Sequence, residues 1–216
     1  MNPRVKICCI ASEEEARLAI SFGAAAVGLV AAMPSGPGPI ADYRIRRIAE
    51  SVPPPVATFL LTCETRGGAI IAHHLRTLTS AIQLVDAPEP DAIGTLRAVL
   101  PAVKVVQVIH VRGERSVDEA LQAAARADAL LLDSGNPSLA VKELGGTGRV
   151  HDWRLSRRIV EQSPVPVFLA GGLHAGNVRA AVDEVQPFGL DLCSGVRSGG
   201  CLDPKKLEAF FGAVWK

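Results

Sequence analysis

No stretch of this 216-residue chain is long and apolar enough to cross a bilayer, which takes about 20 consecutive apolar residues. Neither sign of charge is in excess: 23 Lys and Arg stand against 22 Asp and Glu, a net charge of +1. That balance gives no electrostatic reason to expect nucleic acid or an anionic membrane as a partner. Cysteine is sparse, five residues with no C-x-x-C pair, so neither a disulfide framework nor a zinc site is indicated. The first residues, Met1 to Ser12, enter an apolar run at once and lack the layout of a signal peptide. A reducing cytoplasm is therefore the expected location.

Hydrophobic residues make up 48% of the chain, the composition of a globular protein with a sizeable core. Short apolar runs of strand type fall at 5–10, 26–31, 56–61, 81–85, 103–111, 129–133, 165–170 and 189–193. Helix-type stretches separate them. Ser12 followed by Glu13, Glu14 and Glu15 reads as a capped helix start with an acidic first turn. Further helices are expected at 42–50, 65–78, 90–99, 117–126, 154–162, from Asn177 onward, and at 204–214. Eight strand–helix units in 216 residues give about 27 residues each, compact for a (β/α)8 barrel. An open doubly wound sheet would use five or six units. The chain has no composition shift that would divide it, so one barrel domain over residues 1–216 is expected.

The last two strands end alike. Val167-Phe168-Leu169-Ala170 stops at Gly171-Gly172, and Leu190-Asp191-Leu192-Cys193 stops at Ser194-Gly195. Small residues there let the backbone turn and present N–H groups to an anion. In (β/α)8 barrels a phosphate site recurs after strands 7 and 8. Gly171, Gly172, Ser194 and Gly195 are the expected phosphate-binding positions.

On the first strand, the two-residue period places Lys6 and Cys8 on one face and Ile7 and Cys9 on the other. A lysine in an apolar strand is best accommodated facing a polar barrel mouth, which brings Cys8 there too. A cation beside a thiol favours the thiolate, so Cys8 could act as base or nucleophile; cysteine is also often simply buried. Asp133 ends the apolar run Leu130-Leu131-Leu132, where burial would keep it protonated as a general acid. A capping role would place an acid there equally well. Gln83 and Gln107 interrupt apolar strands and either orient a substrate hydroxyl, as Lys6 could, or satisfy each other in the core. His73 and His74 fall mid-helix, on an expected solvated face. His110 and His151 lie near loops, where a lone histidine is usually structural. The histidines and acids form no ligand set with strand-end spacing, so no metal is expected.

These residues bring the chain to a known family. Lys6-Ile7-Cys8, Gly23-Ala24, Gln83-Leu84, Leu131-Leu132-Asp133-Ser134, Gly145-Gly146-Thr147-Gly148, Asp152-Trp153, Leu169-Ala170-Gly171-Gly172-Leu173, Asn177-Val178 and Ser194-Gly195-Val196 occur in the order found in phosphoribosylanthranilate isomerases, the (β/α)8 enzymes of tryptophan biosynthesis. The chain resembles that family from end to end. The resemblance implies an Amadori rearrangement of a small phosphosugar without metal or organic cofactor. It implies that Asp133 protonates the ribose ring oxygen, that Cys8 takes the proton from C2, and that the glycine turns hold the phosphate.

Four positions depart from the family pattern. The loop Met33-Pro34-Ser35-Gly36-Pro37-Gly38 lacks the arginine that in the family meets the anthranilate carboxylate, and Val85 replaces a histidine. Arg197 replaces an acid, and Cys9 stands where glycine is common. Arg44 and Arg197 are the available substitutes for the missing arginine. Two other readings keep the same residues: an isomerase acting on another phosphoribosyl amine or phosphosugar, and a non-catalytic phosphometabolite-binding barrel. Monomer and homodimer are both compatible with the sequence.

Overall fold

The computed structural model describes residues 2–146 and 148–215. Thr147, within the Gly145-Gly146-Thr147-Gly148 motif, lies outside the described residues. Eight strands run in parallel and close on themselves in sequence order: β1 (Arg4–Ile7), β2 (Ala26–Val30), β3 (Ala57–Thr62), β4 (Ala81–Leu84), β5 (Lys104–His110), β6 (Ala129–Asp133), β7 (Val167–Leu169) and β8 (Gly189–Leu192). The seam is the β1–β8 pair, with Arg4 opposite Gly189 and Lys6 opposite Asp191. All eight expected strands are present, most of them shorter than the apolar runs that announce them.

Helices follow each strand: α1 (Glu13–Ser21), α2 (Asp42–Ser51), α3 (Gly67–Thr77), α4 (Ala92–Val99), α5 (Arg115–Ala124), α6 (Trp153–Gln162), α7 (Val178–Val185) and α8 (Pro204–Val214). Their starts follow from local chemistry. Ser12 Oγ accepts from the Glu15 N–H at 3.2 Å, and three glutamates occupy the positive end of α1. Asp203 caps α8 by accepting from Lys205 N–H, with Pro204 in the first turn, where no N–H is needed.

The strands are apolar on both faces because helices cover the outside and side chains fill the inside. Phe59, Leu61, Ala81, Val106, Val108, Ala129, Leu131 and Phe168 pack within the barrel. Ile7, Leu29, Leu60, Ile109, Leu130, Leu132 and Leu190 pack outward against the helices.

Two histidine expectations are corrected here. His73 and His74 are buried, not solvated. His73 lies between Thr62 Oγ1 at 2.9 Å and Asp42 Oδ1 at 3.2 Å, so partners from β3 and α2 turn this face of α3 inward. An unexpected feature follows β8: a 3-10 turn at Ser194–Val196 and a two-stranded hairpin pairing Arg197–Ser198 with Cys201–Leu202.

Candidate active site

The inward positions of β1, β6 and β8 gather the titratable groups. Lys6 is 1% exposed and donates from Nζ to Asp191 Oδ1 at 2.8 Å. Phe59 lies beneath the ammonium, its ring centroid 5.4 Å away. Burial works against the lysine charge, but the Asp191 carboxylate outweighs it and holds the Lys6 pKa above the ordinary value. Lys6 does point into the barrel with Cys8: a Cβ at Gly28 would lie 2.8 Å from both Lys6 Nζ and Cys8 Sγ. Its charge, however, is engaged by Asp191 and is not free for a substrate hydroxyl. Asp191, one residue before the end of β8, carries the same sequence signal as Lys6, a charged residue inside an apolar run.

Cys8 immediately follows β1, buried among the inward-facing side chains. Its backbone N–H donates to Leu192 O at 2.8 Å, continuing the β1–β8 ladder. Beyond it the two-residue alternation ends. Cys9 adopts φ 61°, a left-handed conformation, and so packs in the same inner cluster as Cys8 rather than on the opposite face. Its thiol donates to Pro37 O at 3.6 Å. Hydrogen bonding with Cys193, then Cys8, then burial, push the Cys9 thiol well above its ordinary range. The same contact, with help from Arg197 and against burial, lowers that of Cys193.

Asp133 closes β6 facing inward, 8% exposed. Burial raises its pKa above the usual carboxylate range, against the Ser134 N–H that donates to Oδ1 at 2.7 Å. The Lys6–Asp191 pair is felt by Asp133, the two charges acting in opposite senses. His110 sits opposite Asp133 across the β5–β6 pair, with Nε2 3.1 Å from Val85 O and Nδ1 without a partner among the described residues.

The two glutamines part company. Gln83 alternates with Ala81 and Val85 toward the barrel interior, and its Oε1 is buried without a partner among the described residues. Gln107 faces the helix layer: its inward neighbours are Val106 and Val108, and its Nε2 donates to Leu84 O, Asp86 O and Val108 O. That one-residue parity corrects the expected Gln83–Gln107 pair and the expected orienting role of Gln107, and leaves Gln83 facing the barrel interior.

At the other side of the mouth, Gly171 and Gly172 take φ 86° and 62°. Asn177 holds the turn, donating from Nδ2 to Gly172 O at 2.9 Å and accepting from the His174 N–H at 2.8 Å. Gly195 fits directly on the Leu173 carbonyl; a Cβ there would stand 2.0 Å from that oxygen. The N–H groups of Gly171, Gly172, Leu173, Ser194 and Gly195 donate to no other described residue. Unsatisfied N–H groups from two adjoining turns form a concavity suited to an anion.

The loop between β6 and α6 spans the mouth. Asn136 and Glu143 pair through the Glu143 N–H, at 3.1 Å. Leu144 then inserts among the inward-facing side chains with Cys8, Val30 and Val85. Gly145 lies against Asp133, a Cβ there falling 2.7 Å from Oδ2. Ser35 Oγ donates to Lys142 O at 2.5 Å, tying this loop to the one after β2.

The expected substitutes for the missing arginine lie elsewhere. Arg197 binds Glu15, Gly200 O, Cys8 O and Cys9 O, bracing the turn after β1. Arg44 lines an outer groove with Ser12, Glu13, Tyr43 and Arg47. Among the described residues no helix is long and apolar enough to cross a membrane.

A (β/α)8 barrel with a buried acid and a cysteine at its mouth and an anion-ready double turn after strands 7 and 8 belongs to the class of phosphosugar-handling barrels. Comparison with known proteins narrows the class. The family model for N-(5'-phosphoribosyl)anthranilate (PRA) isomerase matches residues 5–213. The chain is 33% identical over 195 residues to the N-(5'-phosphoribosyl)anthranilate isomerase of Methanocella arvoryzae, covering 90% of this chain and 89% of that one. The crystal structure of phosphoribosyl anthranilate isomerase from Thermotoga maritima superposes with a TM-score of 0.82 at 30% identity, covering 99% and 98% of the two chains. A phosphoribosyl anthranilate isomerase in complex with reduced 1-(o-carboxyphenylamino)-1-deoxyribulose 5-phosphate gives 0.79 at 28% identity, with the same coverage. The chain belongs to the phosphoribosylanthranilate isomerase family, the aldose–ketose isomerases of tryptophan biosynthesis.

Proposed function

We propose that the chain converts N-(5'-phosphoribosyl)anthranilate into 1-(o-carboxyphenylamino)-1-deoxyribulose 5-phosphate, with Asp133 as general acid and Cys8 as general base. The observation that carries this reading is the placement of both groups: each faces inward at the mouth, and burial shifts the Asp133 pKa upward, the direction a general acid needs. Gly171, Gly172, Ser194 and Gly195 hold the phosphate through backbone N–H groups, and Gln83 is positioned to bind a sugar hydroxyl.

Asp133 donates its proton to the ribose ring oxygen. The C1–O bond breaks and the anilinic nitrogen's lone pair forms the C1=N bond of a protonated Schiff base. Cys8, as thiolate, removes the proton from C2, and the electron pair moves to give an enolamine. A proton is gained at C1 and one is lost from the C2 hydroxyl as the enolamine becomes the ketone. Oxidation at C2 balances reduction at C1, so the chemistry closes on itself without a redox partner.

The decisive experiment follows the fluorescence of phosphoribosylanthranilate generated in situ. The wild-type chain should consume it at about 1 per second or faster. Cys8→Ala and Asp133→Asn should each lose about 10³-fold or more, in keeping with removal of an essential acid or base, while retaining the wild-type circular dichroism. Either variant keeping a near-wild-type rate would refute the assignment. A second reading, rearrangement of another phosphoribosyl amine, is favoured by one observation: the 33–39 loop carries no cation. It would be supported by a wild-type chain that binds ribose 5-phosphate yet leaves phosphoribosylanthranilate untouched.

A further inference from the structure

The mouth has two unlike ends. The anion-ready turns lie after β7 and β8, and Cys8 and Asp133 stand on β1 and β6. In a closed eight-stranded barrel, β3 and β4 lie diametrically across from β7 and β8. A substrate anchored by its phosphate, with its reacting carbons between Cys8 and Asp133, therefore extends its aromatic end toward β2, β3 and β4. Met33, Cys63 and Val85 line that side with soft apolar groups packed on the inner cluster. The aromatic ring bears a carboxylate, which is costly to bury without a cationic or N–H partner.

Several cations stand on the loops around the mouth, among them Arg66, exposed at the start of α3 after β3. Lys6 is engaged by Asp191 deep in the barrel. Arg197 is fixed by Glu15 and backbone carbonyls behind β1. Arg149 pairs with Glu143, and its carbonyl lies beside Gly171, at the phosphate end. Arg112 binds Asn136 and Ser138 on the outer side of the loop. Lys142 differs in place and in freedom. Its ammonium pairs with Asp86, two residues beyond β4, and its side chain is 47% exposed. Its carbonyl accepts from Ser35 of the loop after β2. Lys142 is thus carried by the mouth-spanning loop to the rim where the carboxylate would arrive.

Resting on the reaction proposed above, we infer that Lys142 is the residue that reads the aglycone carboxylate, its ammonium passing from Asp86 to the substrate, or bridging the two, when substrate fills the mouth. The Lys142 side chain is half exposed while that of Asp86 is 12% exposed, and an ammonium has three donors, enough to keep Asp86 and take a second carboxylate. Leu144 packs in the same inner cluster as Cys8, so the segment bearing Lys142 lies directly over the space a substrate would enter. The recognition lost from the 33–39 loop is supplied instead by the loop after β6.

The test is calorimetric binding of two ligands to the full chain: reduced 1-(o-carboxyphenylamino)-1-deoxyribulose 5-phosphate and its counterpart lacking the carboxyl group. Lys142→Met should weaken the carboxylated ligand about ten- to a hundredfold and change the other by less than about threefold. Lys142→Arg should restore most of the loss. Asp86→Asn, which frees the ammonium, should leave the carboxylated ligand bound as well as before or better. In turnover, Lys142→Met should raise KM with kcat nearly unchanged. Equal binding of the carboxylated ligand by wild type and Lys142→Met would overturn the inference. So would equal losses for both ligands, or a matching loss in Asp86→Asn, since these mark Lys142 as a latch for the loop. A wild-type chain that fails to turn over phosphoribosylanthranilate but binds the carboxylated ligand through Lys142 would refute the proposed reaction and leave this assignment standing. Failure of the wild type to bind either ligand would overturn the assignment itself.

Discussion

Lys6 Nζ and Asp191 Oδ1 meet at 2.8 Å across the β1–β8 seam that closes the barrel. Both side chains are almost wholly buried, so neither charge has water to fall back on. Removing one partner should therefore destabilise the chain by about 3–5 kcal/mol, because an uncompensated charge is left inside. Lys6→Met and Asp191→Leu should each show this loss in urea unfolding. The double variant should lose clearly less than the sum, and strict additivity would mean that the pair does not couple.

That pair also shows where the sequence stops being readable. The eight strands were legible because each is apolar on both faces, and Asp133 because an acid ends an otherwise apolar strand. Lys6 was legible as inward-facing, but its partner is 185 positions away and only barrel closure brings the two together. His73 and His74 were misjudged for a related reason: Thr62 and Asp42 satisfy His73 from other elements, and no helical periodicity signals that. Gln107 failed on parity, since a polar residue in a doubly buried strand carries no mark of which face it takes. The loop after β6 was recognised as rich in turn residues, while its insertion of Leu144 depends on tertiary packing alone.

Gly195 couples the two turns proposed to hold the phosphate. A Cβ at this position would collide with Leu173 O, and backbone cannot yield as the end of a flexible side chain can. Gly195→Ala should shift one turn against the other and weaken inorganic phosphate or ribose 5-phosphate binding by about tenfold or more, the scale of a misplacement of about 1 Å. Calorimetry with ribose 5-phosphate checks it. Unchanged affinity would show that this contact does not set the shape of the cup.

Cys9 stands in a left-handed conformation that costs a side-chain-bearing residue about 1 kcal/mol or more and glycine little. Comparing Cys9→Gly with Cys9→Ala separates backbone strain from the lost thiol, since both remove the sulfur. The glycine variant should be the more stable by about 1 kcal/mol in chemical denaturation. If the alanine variant is equally stable, the turn after β1 is not strained.

His151 lies beside the cup, with Nε2 2.7 Å from Ser156 Oγ and Nδ1 buried without a partner among the described residues. Burial lowers its pKa from 6.5 to about 4, only slightly offset by Asp152. Between those two values the unfolded chain binds a proton that the folded chain does not, so stability rises with pH across this window and is lost as pH falls through it. The loss attributable to His151 should approach about 3 kcal/mol by pH 4. His74, also lowered chiefly by burial, acts in the same direction, so the wild-type slope alone does not identify the source. Urea unfolding of wild type and His151→Gln at pH 7, 6, 5 and 4.5 does: the variant should show a shallower slope, the one left by the other shifted groups, His74 acting in the same direction and Asp133, raised by burial, in the opposite one. Parallel slopes for the two proteins would show that His151 is free to take up its proton in the folded state, and that the cup beside it admits a cation.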